Sequence, residues 1–504
     1  MGRNLTIGRW LADRARATPD RVAIRYLGGE LTYGALDRRA SRLAAGLADR
    51  GVRRGGRLST LTGTSPDHVA TFFACARLGV ALHPISWRLA PAEVAYQLAD
   101  AEPALLLASA EHEGLAAASN SLLQARGGAA VEMARIGDPT LEADPDVDDV
   151  AEDDDPLLLV YTSGTTGRPK GALLTHANCF WTNLSFDRTA GVRDDDVVLQ
   201  VLPQFHVGGW NVQPLLAWWR GATVVLEPSF DAGRALRLIE VQRVTTMMGV
   251  PATYLFLAQE SGFADADLSS LRLAVVGGAP MPEALLETWH ERGVEIVQGY
   301  GLTEAAPNVL CLPPEDARRK LGFAGKPYPH VDVALRDPES GALLDGPATG
   351  ELVVRGPNVF AGYWRNPNAT AAAFADGWLL TGDVAERDDE GFYRIAGRLK
   401  DMVISGGENV YPAEIESVLH DHPAVLEAAV VGVPDEQWGE ACAAFVVLRE
   451  GSVATADELQ AHCRERLARF KVPKTFAFLP ALPRSGMGKV LKDRLAVTTS
   501  GAPR

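Results

Sequence analysis

The stretch YTSGTTGRPKG, from Tyr161 to Gly171, decides how the rest of this sequence is interpreted. It alternates hydroxyl side chains with glycines, and the apolar run Leu157–Val160 that leads into it is typical of a buried strand. Glycines allow backbone N–H groups to turn toward an anion, hydroxyls add donors, and a lysine adds positive charge. The stretch therefore predicts a phosphate-binding cradle, with these candidate residues: Thr162, Ser163, Gly164, Thr165, Thr166, Gly167 and Lys170.

This cradle is not the common nucleotide loop. The pattern GxxxxGK[ST] requires a second glycine five residues after the first, and Pro169 stands at that position after Gly164. From these residues alone, an ordinary polar turn after a strand stays open as the alternative interpretation.

Size and composition indicate a multidomain globular protein. A chain of 504 residues is too long for one hydrophobic core, so we expect two or more domains. Its 47% hydrophobic and 22% charged residues are a normal balance for a globular chain. The net charge of −15 argues against nucleic acid as a partner.

The cysteines and the apolar runs bear on the compartment. The five cysteines are scattered and form no CxxC pair, which disfavours a zinc site or a disulfide framework and favours a reducing compartment. The sequence shows no signal-peptide h-region and no run of 18 apolar residues. We therefore expect a cytoplasmic protein without a transmembrane segment.

Helix-like and strand-like segments alternate over most of the chain, with helices predicted, for example, over 178–190 and 211–220. This alternation predicts a parallel sheet with helices on both faces. The acidic stretch Asp138–Asp155 interrupts this pattern and is interpreted as a surface connection. Short strands with Gly and Pro turns dominate from Gly325 to Ile395 and predict a small antiparallel or barrel-like subdomain. A compact α+β unit follows from Gly397.

Five motifs follow one another in a fixed order. After YTSGTTGRPKG come GYGLTE (299–304), TGD (381–383), GRLKDMVISGGENVYPAEIE (397–416) and PRSGMGKVLK (483–492). In this order and spacing they resemble the signatures of the acyl-adenylate-forming superfamily, which includes acyl-CoA synthetases, luciferases and peptide-synthetase adenylation domains. The resemblance covers nearly the whole chain, and DMVISGGENVYPAEIE is most similar to fatty-acyl and aryl CoA ligases.

The resemblance implies a fold and a reaction. The fold is α/β, with a large N-terminal domain of stacked α/β sheets, a small barrel-like subdomain and a small mobile α+β C-terminal domain. Residues 1–397 would hold the acyl and ATP pocket and residues 398–504 would form a lid, with a hinge near Lys400. The implied reaction is AMP-forming ligation with ATP, Mg²⁺ and coenzyme A: a carboxylate attacks the α-phosphate, and the thiol of coenzyme A then displaces AMP.

The resemblance also assigns roles around the phosphates. The 162–170 loop would bind the β- and γ-phosphates, the Thr303 hydroxyl would meet the α-phosphate, and Glu304 would help to hold Mg²⁺. A hard cation prefers oxygen ligands, and one carboxylate with phosphates is a usual set for Mg²⁺. The alternative interpretation of Glu304 is a carboxylate at a helix N-terminus.

A nucleoside site is implied beside the phosphates. Tyr300, in the turn that includes Gly301, would offer an aromatic face to adenine, and the Gly278-Ala279-Pro280 segment would form the other wall. Asp383 would accept hydrogen bonds from both ribose hydroxyls, which one carboxylate can do alone. Arg398 would contact the same nucleotide; the alternative is a surface ion pair of little energy.

The last two motifs imply a moving domain. Lys489 would enter the site during adenylation only and bridge the carboxylate and the phosphate oxygens. Rotation about Lys400 would then remove Lys489 and bring Gly406 and Gly407 to a tunnel for the pantetheine arm. Glycines suit a backbone that lies close to a thin ligand.

The acyl pocket is the part that the resemblance leaves most open. His206 would be an aromatic gate beside the carboxylate, and the pocket would be lined by these residues: Trp210, Asn211, Met248, Gly249 and Gly277. None of these positions carries an Arg or Lys for a second carboxylate or an Asp for an amino group, which disfavours malonate-like and amino-acid substrates. We expect an uncharged acyl tail.

Several functions share these motifs. A medium- or long-chain fatty acid is the favoured substrate, since a methionine pair suits flexible alkyl chains. An aromatic-acid CoA ligase is a close alternative, and a standalone adenylation enzyme that loads a carrier protein is another. A binding protein without activity is disfavoured because no motif residue is missing. A homodimer is possible.

Overall fold

The computed structural model describes residues 5–144, 149–162, 168–405, 408–435, 439–484 and 490–499. Within them, strands and helices alternate as predicted. The elements are given below in chain order.

Residues 5–144 form six strands and five helices among the described residues. Side-chain caps mark helix starts: the Thr32 hydroxyl accepts from the N–H of Ala35, and Ser65 caps the next helix in the same way. The strands are β1 (Val22–Tyr26), β2 (Gly29–Thr32), β3 (Arg57–Leu61), β4 (Ala81–Pro84), β5 (Leu105–Ala108) and β6 (Met133–Arg135). The helices are α1 (Gly8–Ala17), α2 (Tyr33–Asp49), α3 (Pro66–Leu78), α4 (Pro91–Ala101) and α5 (Glu113–Ala125).

The next part of the chain carries the first two motifs. Its strands are β7 (Pro156–Thr162), β8 (Lys170–Thr175), β9 (Val197–Gln200), β10 (Thr223–Leu226), β11 (Thr246–Gly249), β12 (Leu273–Val276), β13 (Ile296–Gly301) and β14 (Asn308–Cys311). Its helices are α6 (His176–Thr189), α7 (Gly208–Asn211), α8 (Pro214–Arg220), α9 (Ala232–Val241), α10 (Pro251–Gln259) and α11 (Glu283–Glu291). The sequence predicted one helix over 211–220; the chain instead breaks before Pro214, which begins α8 because proline fits the first helical turn.

The segment from Lys326 to Arg398 is antiparallel, as predicted. Its strands are β15 (Lys326–Pro327), β16 (Asp332–Arg336), β17 (Leu343–Leu344), β18 (Ala348–Arg355), β19 (Gly362–Tyr363), β20 (Phe374–Ala375), β21 (Trp378–Arg387) and β22 (Tyr393–Arg398), with one helix, α12 (Pro367–Ala372). Strands β16–β18 and β20–β22 form one sheet in the order β17-β16-β18-β21-β20, with β22 on β21.

The last part of the chain forms a smaller α+β unit with its own hydrophobic cluster. Its strands are β23 (Val403–Ser405), β24 (Glu408–Val410), β25 (Val425–Asp435), β26 (Gly439–Leu448) and β27 (Thr475–Phe478). Its helices are α13 (Pro412–His420), α14 (Ala456–Arg466) and α15 (Lys492–Thr499). The predicted fold class, a large N-terminal domain of α/β sheets and a smaller C-terminal domain, is confirmed.

Two large sheets make the N-terminal domain, and neither is built from one continuous stretch. The first has the order β15-β14-β13-β12-β11-β9-β10-β1-β2, so strands from the chain start pair with strands after residue 190. The second has the order β19-β8-β7-β4-β3-β5-β6, so a strand at residues 362–363 joins a sheet begun at residue 57. These pairings tie distant segments of the chain together.

A single hydrophobic cluster takes residues from both sheets. Leu158 of β7 and Val275 of β12 belong to it, together with Phe73 of α3, whose ring meets that of Trp218 of α8 edge-on at 5.8 Å. Burial of such large aromatic side chains is the main favourable term in folding. The predicted stacking of α/β sheets therefore has its physical basis in a shared core.

The described ends of the phosphate-cradle stretch belong to two paired antiparallel strands. β7 ends at Thr162, β8 begins at Lys170, and these two residues are paired across the strands. The motif predicts Lys170 in the loop and a helix as the next element, whereas in the structure the strand β8 begins at Lys170 and precedes helix α6. This pairing sets the separation of Thr162 and Lys170.

Two further features of the fold are the state of the cysteines and the character of the helices. All five cysteines are buried and free, in agreement with the predicted absence of disulfides. Of the helices that the described residues form, none combines the length and the apolar character needed to cross a membrane.

Candidate active site

The motif residues gather where parallel strands of the first sheet end. β13 runs parallel to β12, and the GYGLTE motif spans the end of β13 and the short turn Thr303–Ala305 that follows it. Met248 and Gly277 lie at the same ends of β11 and β12. Open α/β sheets bind ligands outside the carboxyl ends of their strands, so this edge is the candidate site.

Glu304 is held by two hydroxyl groups. Its Oε1 accepts a hydrogen bond from the Thr162 hydroxyl at 3.2 Å and another from the Tyr363 hydroxyl at 2.9 Å. Among the residues that the structure describes, no hydrogen bond or ion pair engages Oε2. The carboxylate is thus fixed in orientation with one oxygen left for a cation, which suits a hard ion such as Mg²⁺.

Lys170 contacts the aromatic ring of the same tyrosine, Tyr363. Its Nζ is 5.2 Å from the centroid of the Tyr363 ring, within the range of a cation–π contact. Burial and the neighbouring Glu304 carboxylate raise the pKa of Tyr363, so its hydroxyl stays a donor at physiological pH. We call Thr162, Lys170, Glu304 and Tyr363 the hydroxyl cluster.

A second group of residues surrounds Asp383. The Tyr300 hydroxyl donates to Asp383 Oδ2 at 2.6 Å, and Arg398 Nε lies 2.7 Å from Oδ1. The Asp383 side chain is 7% exposed and that of Arg398 is 48% exposed. Burial and the Asp383 carboxylate raise the pKa of Tyr300 well above its ordinary value. We call Tyr300, Asp383 and Arg398 the ion-pair cluster.

Strand pairing places the ion-pair cluster. Asp383 of β21 lies directly opposite Arg398 of β22, and its N–H donates to the Thr381 hydroxyl at 3.1 Å. The sequence predicted that Asp383 receives ribose hydroxyls; in the structure each of its oxygens already has one protein partner. A carboxylate has about four lone-pair sites, so the predicted ribose hydroxyls would share these oxygens with protein partners.

Close backbone contacts shape the turn after Tyr300. A Cβ on Gly301 would lie 1.7 Å from the carbonyl oxygen of Pro307, so only glycine fits there. The same carbonyl accepts from the N–H of Leu302 at 3.1 Å. This contact sets the direction in which the chain enters the Thr303–Ala305 turn.

The predicted adenine wall is an exposed loop. Gly278, Ala279 and Pro280 follow β12 and are all exposed. Gly278 has φ +83°, a conformation that glycine adopts without strain. The segment is therefore accessible to a ligand at the edge of the first sheet, next to Tyr300 of the neighbouring strand β13.

The predicted acyl-pocket residues divide into two groups. Trp210 and Asn211 are fully buried: the Trp210 ring stacks on Phe72 at 4.6 Å, and the Asn211 amide bonds Asn183 and Cys179. Met248 is half-buried. A Cβ added at Gly277 would lie 3.2 Å from the Cε atom of Met248. Met248 is thus more exposed than the two α7 residues, whereas Gly277 is buried beside it.

Gly249 and His206 have different surroundings. A Cβ on Gly249 would lie 2.8 Å from Thr253 Cβ, so its small size serves helix α10 as well as any ligand. His206 is half-buried, and its ring lies 4.7 Å from that of Phe205. The predicted gating role of His206 stays a prediction.

Several predicted residues lie outside the described part of the chain. They are Ser163, Gly164, Thr165, Thr166, Gly167, Gly406, Gly407 and Lys489. Lys400 is described; it is exposed and lies in the short turn Leu399–Asp401. The predicted phosphate, CoA-tunnel and bridging roles of these residues, and the hinge role of Lys400, stay predictions.

Two tyrosines near the start of β8 were missed by the sequence analysis. Tyr363 contacts both Glu304 and Lys170, and the Tyr96 hydroxyl donates to the carbonyl of Pro169 at 3.1 Å. Their sequence neighbourhoods carry no pattern of spaced polar residues. The one hint is Gly362, which allows Tyr363 to lie at the short strand β19 against β8.

Comparison with known proteins agrees with this geometry. The family model described as AMP-binding enzyme matches residues 11–364, and the model of the AMP-binding enzyme C-terminal domain matches residues 414–489. The feruloyl-CoA synthase of Amycolatopsis sp is 43% identical over 98% of this chain and 99% of its own. The indoleacetate–CoA ligase of Aromatoleum aromaticum is 41% identical over 97% of both chains. The long-chain-fatty-acid–CoA ligase FadD13 of Mycobacterium tuberculosis is 38% identical over 92% of both.

Solved structures share the fold over nearly the whole length. The Bacillus subtilis O-succinylbenzoate coenzyme A synthetase, in complex with ATP and magnesium ion, has a TM-score of 0.87 and 34% identity, covering 96% of this chain and 98% of its own. The anthranilate CoA ligase AuaEII, in complex with anthranoyl-AMP, has a TM-score of 0.91 and 28% identity, covering 98% and 97%. The chain therefore belongs to the AMP-binding enzyme family, as an ATP-dependent acid–thiol ligase.

Proposed function

We propose that this protein is an aromatic-acid CoA ligase, which converts an uncharged aromatic or arylalkyl carboxylic acid, ATP and CoA into acyl-CoA, AMP and pyrophosphate. The observation that carries the proposal is the full-length likeness to a feruloyl-CoA synthase and an indoleacetate–CoA ligase at 43% and 41% identity. Of the two substrate classes that the sequence analysis left open, aromatic acids are the better supported.

The open edge of the first sheet is consistent with a neutral, apolar acid. Met248 is half-buried and Val250 is 37% exposed, which places apolar surface beside Gly277 and Gly278. A second carboxylate buried there would need a charged partner, and none of these residues supplies one. A planar ring needs width rather than length, and neither Gly277 nor Gly278 has a side chain that would narrow this part of the sheet edge.

In the first half-reaction, a carboxylate oxygen of the acid bonds to the α-phosphorus and the bond to pyrophosphate breaks. Lys170 would neutralise charge on the departing phosphates, and the Thr303 hydroxyl would donate to the α-phosphate. Glu304 would hold Mg²⁺, which when bound offsets the negative charge of the phosphate oxygens. Asp383 would orient the ribose and so fix the nucleotide for in-line attack.

In the second half-reaction, the sulfur of CoA bonds to the acyl carbon, AMP leaves with the bonding electrons, and the thiol proton is released. This step needs no pyrophosphate site. We propose that the C-terminal unit, from Arg398 onward, rotates about Lys400 between the two half-reactions, with Lys489 serving the first only. The family match to a separate C-terminal domain over residues 414–489 supports this division.

A fatty-acid CoA ligase is the second candidate. The likeness to a long-chain-fatty-acid–CoA ligase at 38% identity over 92% of the chain favours it, as does the flexible side chain of Met248. Both candidates share the adenylation chemistry and differ only in the shape of the acyl pocket.

An acid panel tests the proposal. The purified protein is supplied with ATP, Mg²⁺ and CoA, and AMP formation is measured with ferulate, indoleacetate, anthranilate, octanoate and palmitate. We expect the largest kcat/KM for one of the aromatic acids. A larger value for octanoate or palmitate would replace the proposal with the fatty-acid candidate. AMP that forms with a carrier protein but never with CoA would contradict both.

A further inference from the structure

Tyr363 contacts both of the oppositely charged groups of the hydroxyl cluster, Glu304 and Lys170. Its hydroxyl donates to Glu304 Oε1 at 2.9 Å, and its ring lies under Lys170 Nζ at 5.2 Å from the centroid. In the described chain, the Lys170 ammonium and the Glu304 carboxylate form no ion pair with each other, and no other carboxylate is within 4.0 Å of Lys170. One side chain therefore contacts both charges without neutralising either.

This separation matters for ligand binding. A direct ion pair between Lys170 and Glu304 would have to break before the ammonium could meet a phosphate or the carboxylate a cation. A phenol offers each group a weaker and neutral partner: a hydrogen bond for the carboxylate and an aromatic face for the ammonium. Both charges thus stay available at one site.

The backbone around Tyr363 is firmly held. Tyr363 pairs with Ala172 of β8, its N–H donates to the Thr370 hydroxyl at 2.9 Å, and its ring meets Phe360 edge-on at 4.9 Å. The N–H of Phe360 donates to the backbone carbonyl of Glu304 at 2.9 Å. The segment that carries the phenol is therefore bonded both to the strand of Lys170 and to the turn of Glu304.

From this geometry we propose that Tyr363 is a positioning residue of the adenylation half-reaction, which orients Glu304 toward Mg²⁺ and holds Lys170 apart from that carboxylate. The proposal rests on the proposed function, since it assumes that Glu304 binds the metal and Lys170 the phosphates. Outer partners that orient a metal-binding carboxylate are typically required for metal affinity.

The first test is Tyr363→Phe, which removes the hydroxyl and keeps the ring. AMP formation is measured as a function of free Mg²⁺ with the best acid of the panel. We expect the Mg²⁺ concentration for half-maximal rate to rise on the order of 10- to 100-fold. The rate at saturating Mg²⁺ should approach that of the wild type, because the carboxylate is still present.

A direct binding measurement accompanies the kinetics. Calorimetric titration of Mn²⁺ into the protein, saturated with an ATP analogue that carries a methylene group between the α- and β-phosphorus atoms, reports metal affinity without turnover. The same weakening is expected for Tyr363→Phe. A second variant, Tyr363→Leu, also removes the ring and should raise the KM for ATP by a further factor of about two to five.

Tyr393→Phe is the matched control, because Tyr393 belongs to neither cluster. Its hydroxyl contacts Arg387 in the sheet formed by β16–β18 and β20–β22. Thioester formation from supplied acyl-AMP and CoA should be the same in all variants, which shows that each one is folded. If the wild type is active and the Mg²⁺ curve of Tyr363→Phe overlays it, the positioning role is wrong and the proposed function stands. If the wild type activates no acid, the proposed function itself fails.

Discussion

The hydroxyl cluster and the ion-pair cluster treat charge in opposite ways. In the first, neutral hydroxyls and an aromatic ring contact Glu304 and Lys170, and neither charge meets its opposite among the described residues. In the second, Asp383 is almost fully buried and already paired with Arg398. Under the proposed function, the groups that would bind charged, exchanging ligands are kept open, whereas the group that would orient a neutral ribose is held by an ion pair.

The comparison predicts different losses when each cluster is altered. Changes in the hydroxyl cluster should affect the adenylation rate and its Mg²⁺ dependence. Changes in the ion-pair cluster should affect nucleotide affinity and, because a buried charge loses its partner, also stability. The following predictions run from the largest expected effect to the smallest.

Glu304→Gln should give the largest loss. The amide keeps the volume and the hydrogen bonds of the side chain but removes the charge that would hold Mg²⁺ near the phosphates. We expect kcat/KM for adenylation to fall on the order of 10²–10³-fold, measured as AMP formation. Thioester formation from supplied acyl-AMP should be retained. A parallel loss of that step would show that Glu304 acts in both half-reactions, which contradicts the assignment of the hydroxyl cluster to adenylation.

Asp383→Asn should weaken nucleotide binding. It removes a charged acceptor from Tyr300 and Arg398, and hydrogen bonds to charged groups contribute about 1.5–3 kcal/mol. We expect the KM for ATP to rise roughly 10- to 100-fold while the Mg²⁺ dependence is unchanged.

Asp332→Asn is the matched control for that variant. Asp332 also faces an arginine, Arg355, across two strands of the same sheet, but its side chain is 65% exposed. Exposed ion pairs contribute about 0–1 kcal/mol, so the melting temperature and the KM for ATP should stay near wild type. Equal effects of Asp332→Asn and Asp383→Asn would show that pairing geometry, rather than burial, sets the loss.

Gly277→Ala separates the acid site from both clusters. The added Cβ would lie 3.2 Å from Met248 Cε and 3.3 Å from the carbonyl oxygen of Gly299, so the space beside β12 narrows. We expect the preference for wide aromatic acids over octanoate to fall by about 10-fold, since one methylene in an apolar pocket has an effect of this order. The KM for ATP should not change; a rise comparable to that of Asp383→Asn would place Gly277 in the nucleotide site.

Tyr96→Phe should give the smallest effect. It removes the hydrogen bond to the Pro169 carbonyl, at the end of the phosphate-cradle stretch, and such a neutral bond contributes about 1 kcal/mol. We expect the KM for ATP to rise about fivefold, measured at saturating acid, with no change in acid preference. An unchanged KM would show that the hydrogen bond of Tyr96 to Pro169 plays no part in ATP binding.

Local patterns of the sequence predicted a large part of the fold. Apolar periodicity placed most strands and helices of the N-terminal domain, and turn residues marked the change to antiparallel structure after Gly325. Two predictions from these local patterns were wrong, and each has a specific physical reason. A proline broke the helix predicted over 211–220, and the strand β8 replaced an expected loop because its residues pair with β7.

The candidate site was predicted less completely than the fold. Motif residues such as Glu304, Tyr300 and Asp383 could be identified because they lie in short strings with characteristic spacing. Their partners could not be: Tyr363 reaches Glu304 from 59 residues away along the chain. A hydrogen bond between residues so far apart leaves no periodicity or spacing in the sequence.

By itself, the sequence determined the α/β class, the succession of the five motifs, the small residues at the strand ends and the cysteines that stay unpaired. These properties follow from local backbone preferences and side-chain chemistry, which act over a few residues. Only the tertiary structure decided which charges meet. Pairing of β19 with β8, which are far apart along the chain, brings Tyr363 into contact with Lys170 and Glu304. Pairing of the successive strands β21 and β22 places Asp383 against Arg398. The physical reason is that strand pairing sets these distances: it joins distant segments in the case of Tyr363 and two successive strands in the case of Asp383.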